Sequence, residues 1–264
     1  MTREARRIDE IAATAVAATE EAVLDGWWCR ANPSAPFRRA NAALPPVGAG
    51  LSDALDGPVD RVVAWYRAKD LPTRIQVSTA DAAWSDLDAR LDGRGLVVEA
   101  PVVVMVAPST SIAGPPVRTR FDGSGVAIEA RTGVDADWAT DVASLHGIDE
   151  RSAQRVVAYG RLLSTFGSDA LGVALRVDGR PVAVGFAVCD GPWCGIFGMA
   201  TAAEARRRGA AAAVLRELAV LAARQGSSDL YLQVEDDNLE AAALYRGVGF
   251  APSHRYHYRT LHLP

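Results

Sequence analysis

Two stretches of the chain hold residues whose types and spacing can do chemistry. In GMATAAEARRRGAAAAVLREL (198–218), an apolar run suited to a strand ends near Thr201, and a short loop rich in arginine opens into a helix. The first N–H groups of a helix lack partners within it, and that end carries partial positive charge. Such a start therefore suits phosphate oxygens. Gly209, Ala210 and Ala211 leave the backbone open to close approach, while Arg206, Arg207 and Arg208 add charge. The same fragment also reads as a solvated, arginine-rich helix start, and alone it does not separate the two. The second stretch is LYLQVEDDNLEAAALYRGVGF (230–250), which reads as a strand, Asn238, a helix with Ala241 and Tyr245, then Gly249 and Phe250. A tyrosine placed there can give a proton to a leaving group, or simply pack its helix against a core.

The surrounding pattern supplies elements to hold these residues. LGVALRVDGRPVAVGFAVCD reads as two alternating strands around Asp178-Gly179, a favoured two-residue hairpin turn. WCGIFGMAT is the next strand, and a helix over about 204–225 places Ala211, Val214, Leu215, Leu218 and Ala222 on one face. Val126–Arg131 opens this half as a strand, a helical stretch runs from about 136 to 166 with a break near Gly147, and His254–Leu263 forms a last strand. Glu235 shares strand parity with Tyr231 and Gln233, which makes it a candidate base, or else an exposed carboxylate of the run Glu235-Asp236-Asp237. Cys194 as an acylated nucleophile lacks any supporting motif. His254, His257 and His262 lack zinc-site spacing with a cysteine pair and alternate along the last strand, where His257 or Tyr258 could line an acceptor pocket.

Composition bounds the rest. The 264 residues suffice for two domains of roughly 130 each. A hydrophobic share of 49% with 23% charged residues is that of a globular chain, and a net charge of −4 argues against nucleic acid as main partner. No apolar run has the ~20 residues of a membrane span, and Asp9, Glu10, Glu20 and Glu21 interrupt any signal-peptide core. Three cysteines, Cys29, Cys189 and Cys194, suit a reducing cytosol, so a cytoplasmic location is expected, with a Cys189–Cys194 disulfide as the weaker alternative. The first half reads as a helix over 3–24, strands at Gly26–Arg30 and Phe37–Ala42, a helix VDRVVAWYRAKD, a strand TRIQVS, a helix AAWSDLDARLDGRG and an apolar strand PVVVMVA. The Gly- and Pro-rich stretch 108–125 then reads as a linker. Ile75-Gln76-Val77 and its following helix and strand echo Leu232-Gln233-Val234 and theirs, a hint of duplication.

Taken in order, the two chemical stretches resemble the GNAT superfamily of N-acetyltransferases. Its Q/R-x-x-G-x-G/A motif is matched by Arg206, Gly209 and Ala211, and its N-x-x-A-x-x-L-Y-x-x-x-G-F pattern by Asn238, Ala241, Leu244, Tyr245, Gly249 and Phe250. The resemblance covers 126–264 and implies acetyl-CoA as cofactor. It implies that Met199, Ala200 and Thr201 meet the acetyl and pantetheine groups, that N–H groups from Arg207 to Ala211 take the pyrophosphate, that Asn238 contacts the pantetheine region, and that Tyr245 is general acid. GWWCR, FRRANA and AWYRAKDLP are more faintly similar to the degenerate GNAT-like domain preceding the catalytic one in some bacterial acetyltransferases. Arg38, Arg39 and Asn41 there read as acceptor contacts or as a polar strand edge. The expectation is thus an α+β fold of two GNAT-like domains, each a mixed, mostly antiparallel sheet flanked by helices: 1–107 degenerate, 108–125 linker, 126–264 catalytic. The expected reaction is direct acetyl transfer to a primary amine of a small metabolite or amino-acid-like compound, in a monomer or a homodimer, without metal, membrane or nucleic acid. The alternatives are a non-catalytic CoA-binding or ligand-sensing module and a protein lysine or N-terminal acetyltransferase.

Overall fold

The computed structural model describes residues 3–35, 37–115, 117–121, 125–133, 136–146 and 167–263. By internal contact it divides into two units: residues 1–104, 234–239 and 252–264, and residues 105–233 and 240–251. The elements in chain order are α1 (Arg3–Thr14), β1 (Glu20–Leu24), β2 (Trp27–Ala31), β3 (Ala43–Leu44), α2 (Asp56–Arg67), β4 (Thr73–Ser78), α3 (Trp84–Asp92), β5 (Val97–Pro108), α4 (Ser109–Ile112), β6 (Val126–Thr132), α5 (Ala136–His146), β7 (Ala170–Val177), β8 (Arg180–Asp190), β9 (Trp193–Thr201), α6 (Ala210–Arg224), β10 (Asp229–Glu235), α7 (Leu239–Val248) and β11 (Ala251–Leu261). The helical expectation for 147–166 lies outside the described residues.

In the first unit the strand order is β1-β2-β3-β4-β11-β5. β1 and β2 form an antiparallel hairpin around Asp25 (φ 49°) and Gly26 (φ 84°), the double left-handed turn that Asp-Gly favours. This corrects the expected helix over 3–24, which stops at Thr14. The expected strand Phe37–Ala42 is a 3-10 turn over Arg38–Asn41. Polar groups buried under it set that bend: the Asn41 amide donates to the carbonyls of Asn32, Ala35 and Phe37, and the Arg30 guanidinium donates to the Arg39 carbonyl. The sheet's core gathers Trp27, Cys29, Val59, Val62, Tyr66, Ile75, Val77, Leu87 and Leu91. Burial pushes the Cys29 thiol up to about 12, so it stays neutral and packs as an apolar group.

β11 also belongs to this unit. It pairs antiparallel with β4 from Tyr256↔Ser78 to Leu261↔Thr73. The expected division therefore changes: residues 252–264 and 234–239, read from sequence as part of the second domain, lie in the first unit. Side chains secure the strand on both faces. Arg259 donates twice to Asp88 (2.7 and 2.8 Å), and His254 meets the buried Asp9, which also accepts from Gln76 and Ser78. His257 contacts Asp88, and His262, just past the strand, contacts Glu99, so each of the three histidines has a carboxylate partner.

In the second unit the order is β10-β9-β8-β7-β6, antiparallel except for the parallel pair β9–β10. Asp178 (φ 50°) and Gly179 (φ 78°) make the expected hairpin turn between β7 and β8. α6 packs across β7, β8 and β9, burying Ala210, Ala213, Val214, Leu215, Leu218, Ala219 and Ala222. It starts at Ala210 rather than near 204, because Arg207 (φ 59°) and Gly209 (φ 85°) hold left-handed backbone that no α-helix continues through. Residues 108–115 are not a free linker: α4 packs on α6, and the Arg216 guanidinium donates to the Gly114 carbonyl at 2.6 Å.

Candidate functional site

The second unit builds its site from one irregular strand and the helix that follows it. β8 and β9 pair at Val184↔Ala200 and Phe186↔Phe197, so two steps on β8 face three on β9. That extra residue is a β-bulge, which lifts a backbone segment out of the ladder and re-aims its polar groups. Two glycines permit it. A Cβ on Gly198 (φ 58°) would lie 2.7 Å from the Phe186 ring, and one on Gly185 would lie 2.4 Å from the Met199 sulfur. Parallel pairing with β10 runs from Trp193↔Asp229 to Ile196↔Leu232, and β9 continues past it as Phe197–Thr201. Met199, Ala200 and Thr201 are half-buried in this continuation.

The chain then crosses Arg206, Arg207 and Arg208, all exposed, and enters α6 through Gly209 as N-cap. No side chain caps the helix there. The Gly209 carbonyl accepts from Ala213 (3.0 Å), so the N–H groups of the first turn remain to be satisfied from outside the helix. Ala210 is buried and Ala211 half-buried. Among the described residues, none of the three guanidinium groups has a carboxylate partner; Arg208 instead lies over the Phe121 ring at 5.7 Å. The segment 117–121 runs alongside this loop, with the Arg120 N–H donating to the Arg208 carbonyl at 2.9 Å. Sequence reading missed that segment, whose one signal was its pair of arginines, Arg118 and Arg120, after the prolines.

Of the remaining candidates, Ala241 and Tyr245 sit on α7, half-buried and buried respectively. The Tyr245 ring meets Phe250 edge-on at 6.2 Å, and burial raises its hydroxyl above the ordinary tyrosine value, so it is protonated throughout the neutral range. Glu235 and Asn238 fall in the segment grouped with the first unit. Both are exposed; the Glu235 carbonyl accepts from the Asn238 N–H at 3.0 Å in the turn leading to α7. Cys194 is buried beside Cys189, both free thiols. Among the described residues, no group of three or more metal-ligating side chains is assembled, and no helix is long and apolar enough to cross a membrane.

Comparison with known proteins bears on this arrangement. The family model described as "Probable histone acetyltransferase Rv0428c C-terminal" matches residues 2–259. The chain belongs to that family. Its fold is GNAT, in tandem: a GCN5-related N-acetyltransferase from Kribbella flavida superposes with a TM-score of 0.68 at 17% identity, covering 96% of this chain and 94% of that one. A tandem GNAT protein from the clavulanic acid biosynthesis pathway superposes at 0.65 with 14% identity, covering 96% and 87%. The uncharacterized N-acetyltransferase YobR of Bacillus subtilis is 39% identical over 72 residues, which are 27% of this chain and 29% of that protein. The family is thus one of acetyltransferases, and the chain spans less than a third of YobR's length.

Proposed function

We propose that this member of the Rv0428c C-terminal acetyltransferase family is an acetyl-CoA-dependent N-acetyltransferase, with its cofactor site in the second unit and none in the first. The observation that carries the reading is the start of α6. It has a left-handed glycine N-cap, an uncapped first turn and three exposed arginines without a described carboxylate, directly after a bulged strand. A Cβ at Gly209 would meet the Arg118 carbonyl at 2.9 Å, so glycine is what lets segment 117–121 lie close beside this helix start. These are the features a pyrophosphate needs, and the donor set fits CoA.

Acetyl-CoA, when bound, supplies an acetyl group activated as a thioester. The N–H groups of residues 207–211 and the guanidinium groups of Arg206–Arg208 would hold phosphate oxygens. The bulge at Gly198–Met199, with Ala200 and Thr201 after it, would align the reactive end and could offer an N–H group to oxygen as negative charge develops there. Tyr245, protonated at neutral pH with burial raising its hydroxyl further, would supply the proton that the departing sulfur needs. The base for the amine is Glu235 or a water; an unchanged pH–rate profile in Glu235→Gln removes the residue from this role.

The acceptor we propose is the primary amine of a small metabolite or amino-acid-like compound. A second reading, a protein lysine, is favoured by the histone named in the matched family's description. Mass spectrometry of small molecules and of proteins, after incubating the chain and acetyl-CoA with cell extract, separates them. Acetylated small amines support the first reading and acetyl-lysine the second. CoA bound without turnover of any amine would leave a binding module.

A further inference from the structure

The segment that carries Arg118 and Arg120 lies against the loop before α6, tied to it by one backbone hydrogen bond. The Arg120 N–H donates to the Arg208 carbonyl at 2.9 Å. The Arg118 carbonyl lies 2.9 Å, and the Thr119 Cα 3.6 Å, from where a Cβ of Gly209 would stand. Arg208 reaches the other way, over the Phe121 ring. Upstream the segment is pinned to α6 by Arg216 and Gly114, and by Ser109, whose N–H and hydroxyl donate to the carbonyls of Ser228 and Ser227. Arg118 and Arg120 are both exposed. Among the described residues neither has an ion pair. With Arg206–Arg208, five arginines lie on the two segments that meet at one helix start, in a chain whose net charge is −4.

Five arginines exceed what a pyrophosphate at a helix N-terminus requires, since backbone N–H groups already serve it. CoA carries a second anion, the ribose 3′-phosphate, a monoester with about two negative charges at neutral pH. We propose that Arg118 and Arg120 hold this 3′-phosphate, so that the segment between β5 and β6 selects CoA over its dephosphorylated form. The inference rests on the cofactor reading above and adds a specificity determinant outside the motif residues.

Calorimetric titration of the full chain with CoA and with dephospho-CoA tests it. A charge-assisted contact to phosphate predicts that wild type prefers CoA by roughly tenfold or more. Arg118→Gln/Arg120→Gln keeps the backbone pairing and should bring the two affinities together by weakening CoA alone. Because both side chains are exposed, the variant should melt where wild type does; Arg118→Gln and Arg120→Gln singly give intermediate ratios. A wild-type ratio near one overturns the inference, as does a ratio unchanged in the double variant or an equal loss for both ligands. Failure of wild type to bind either ligand overturns the cofactor reading itself, and this inference with it.

Discussion

Each unit contains a parallel strand–helix–strand connection: β3–α2–β4 in the first and β9–α6–β10 in the second. They differ at the start of the helix. α6 begins at a left-handed glycine, with arginines before it and no described carboxylate partner. α2 begins with its own acids: Asp56 and Asp60 lie in the first turns, and both are engaged by Arg94. Pro58 removes one donor outright. The turn that leads to it is also tightly packed. Gly50, in the turn before α2, faces the start of α3 so closely that a Cβ would lie 2.4 Å from the Ala83 carbonyl and 2.5 Å from the Leu87 nitrogen. Both glycines lie close to protein backbone, Gly50 against the start of α3 and Gly209 against Arg118 and Thr119, but only Gly209 is the N-cap of its helix. A helix dipole is a site only where the chain has not already answered it with carboxylates.

Three substitutions test that contrast. The largest effect is expected at Tyr245. Tyr245→Phe should lower kcat by about 10²–10⁴ while CoA affinity holds, because only proton donation is removed; full turnover would return the residue to packing. Gly209→Glu comes next. A side chain in a left-handed position costs about 1–3 kcal/mol, and the new carboxylate opposes the phosphates, so calorimetry should read a loss in CoA affinity of about 100-fold. Unaltered affinity in folded protein would move the cradle elsewhere. Gly50→Ala should act the other way round: overpacking costs about 1–3 kcal/mol, lowering the melting temperature with CoA affinity and a stoichiometry of one per chain intact. A second CoA per chain in wild type would erase the asymmetry.

Several features were legible because local chemistry fixes them. Asp178-Gly179 between alternating strands makes the hairpin it signals, and the apolar face of α6 is nearly the one its period draws. Asp25-Gly26 carries the same turn signal but follows an alanine- and glutamate-rich run with high helix propensity; pairing of β1 with β2 overrides that propensity. FRRANA alternates like a strand, yet Asn41 and Arg30 spend their donors on carbonyls that only the folded chain brings near. At the candidate site, the helix start at Gly209 and its exposed arginines were readable, since glycine and arginine spacing is local. The bulge was not, because it depends on which residues of β8 oppose Gly198 and Met199. The unit to which β11 belongs was hidden for the same reason: a strand's sequence gives its faces, not its partner.

That last placement has a consequence for synthesis. β4 ends at Ser78 and its neighbour β11 begins at Ala251. At a translation rate of about 5–20 residues per second, β4 leaves the ribosome on the order of ten to thirty seconds before the strand that completes it. During that interval its ladder toward β11 is an open edge able to pair with another nascent chain. Asp9, too, waits for His254, with Gln76 and Ser78 already at hand. The first unit is thus first to be made and late to close, and its folding is coupled to complete passage of the second through the ribosome.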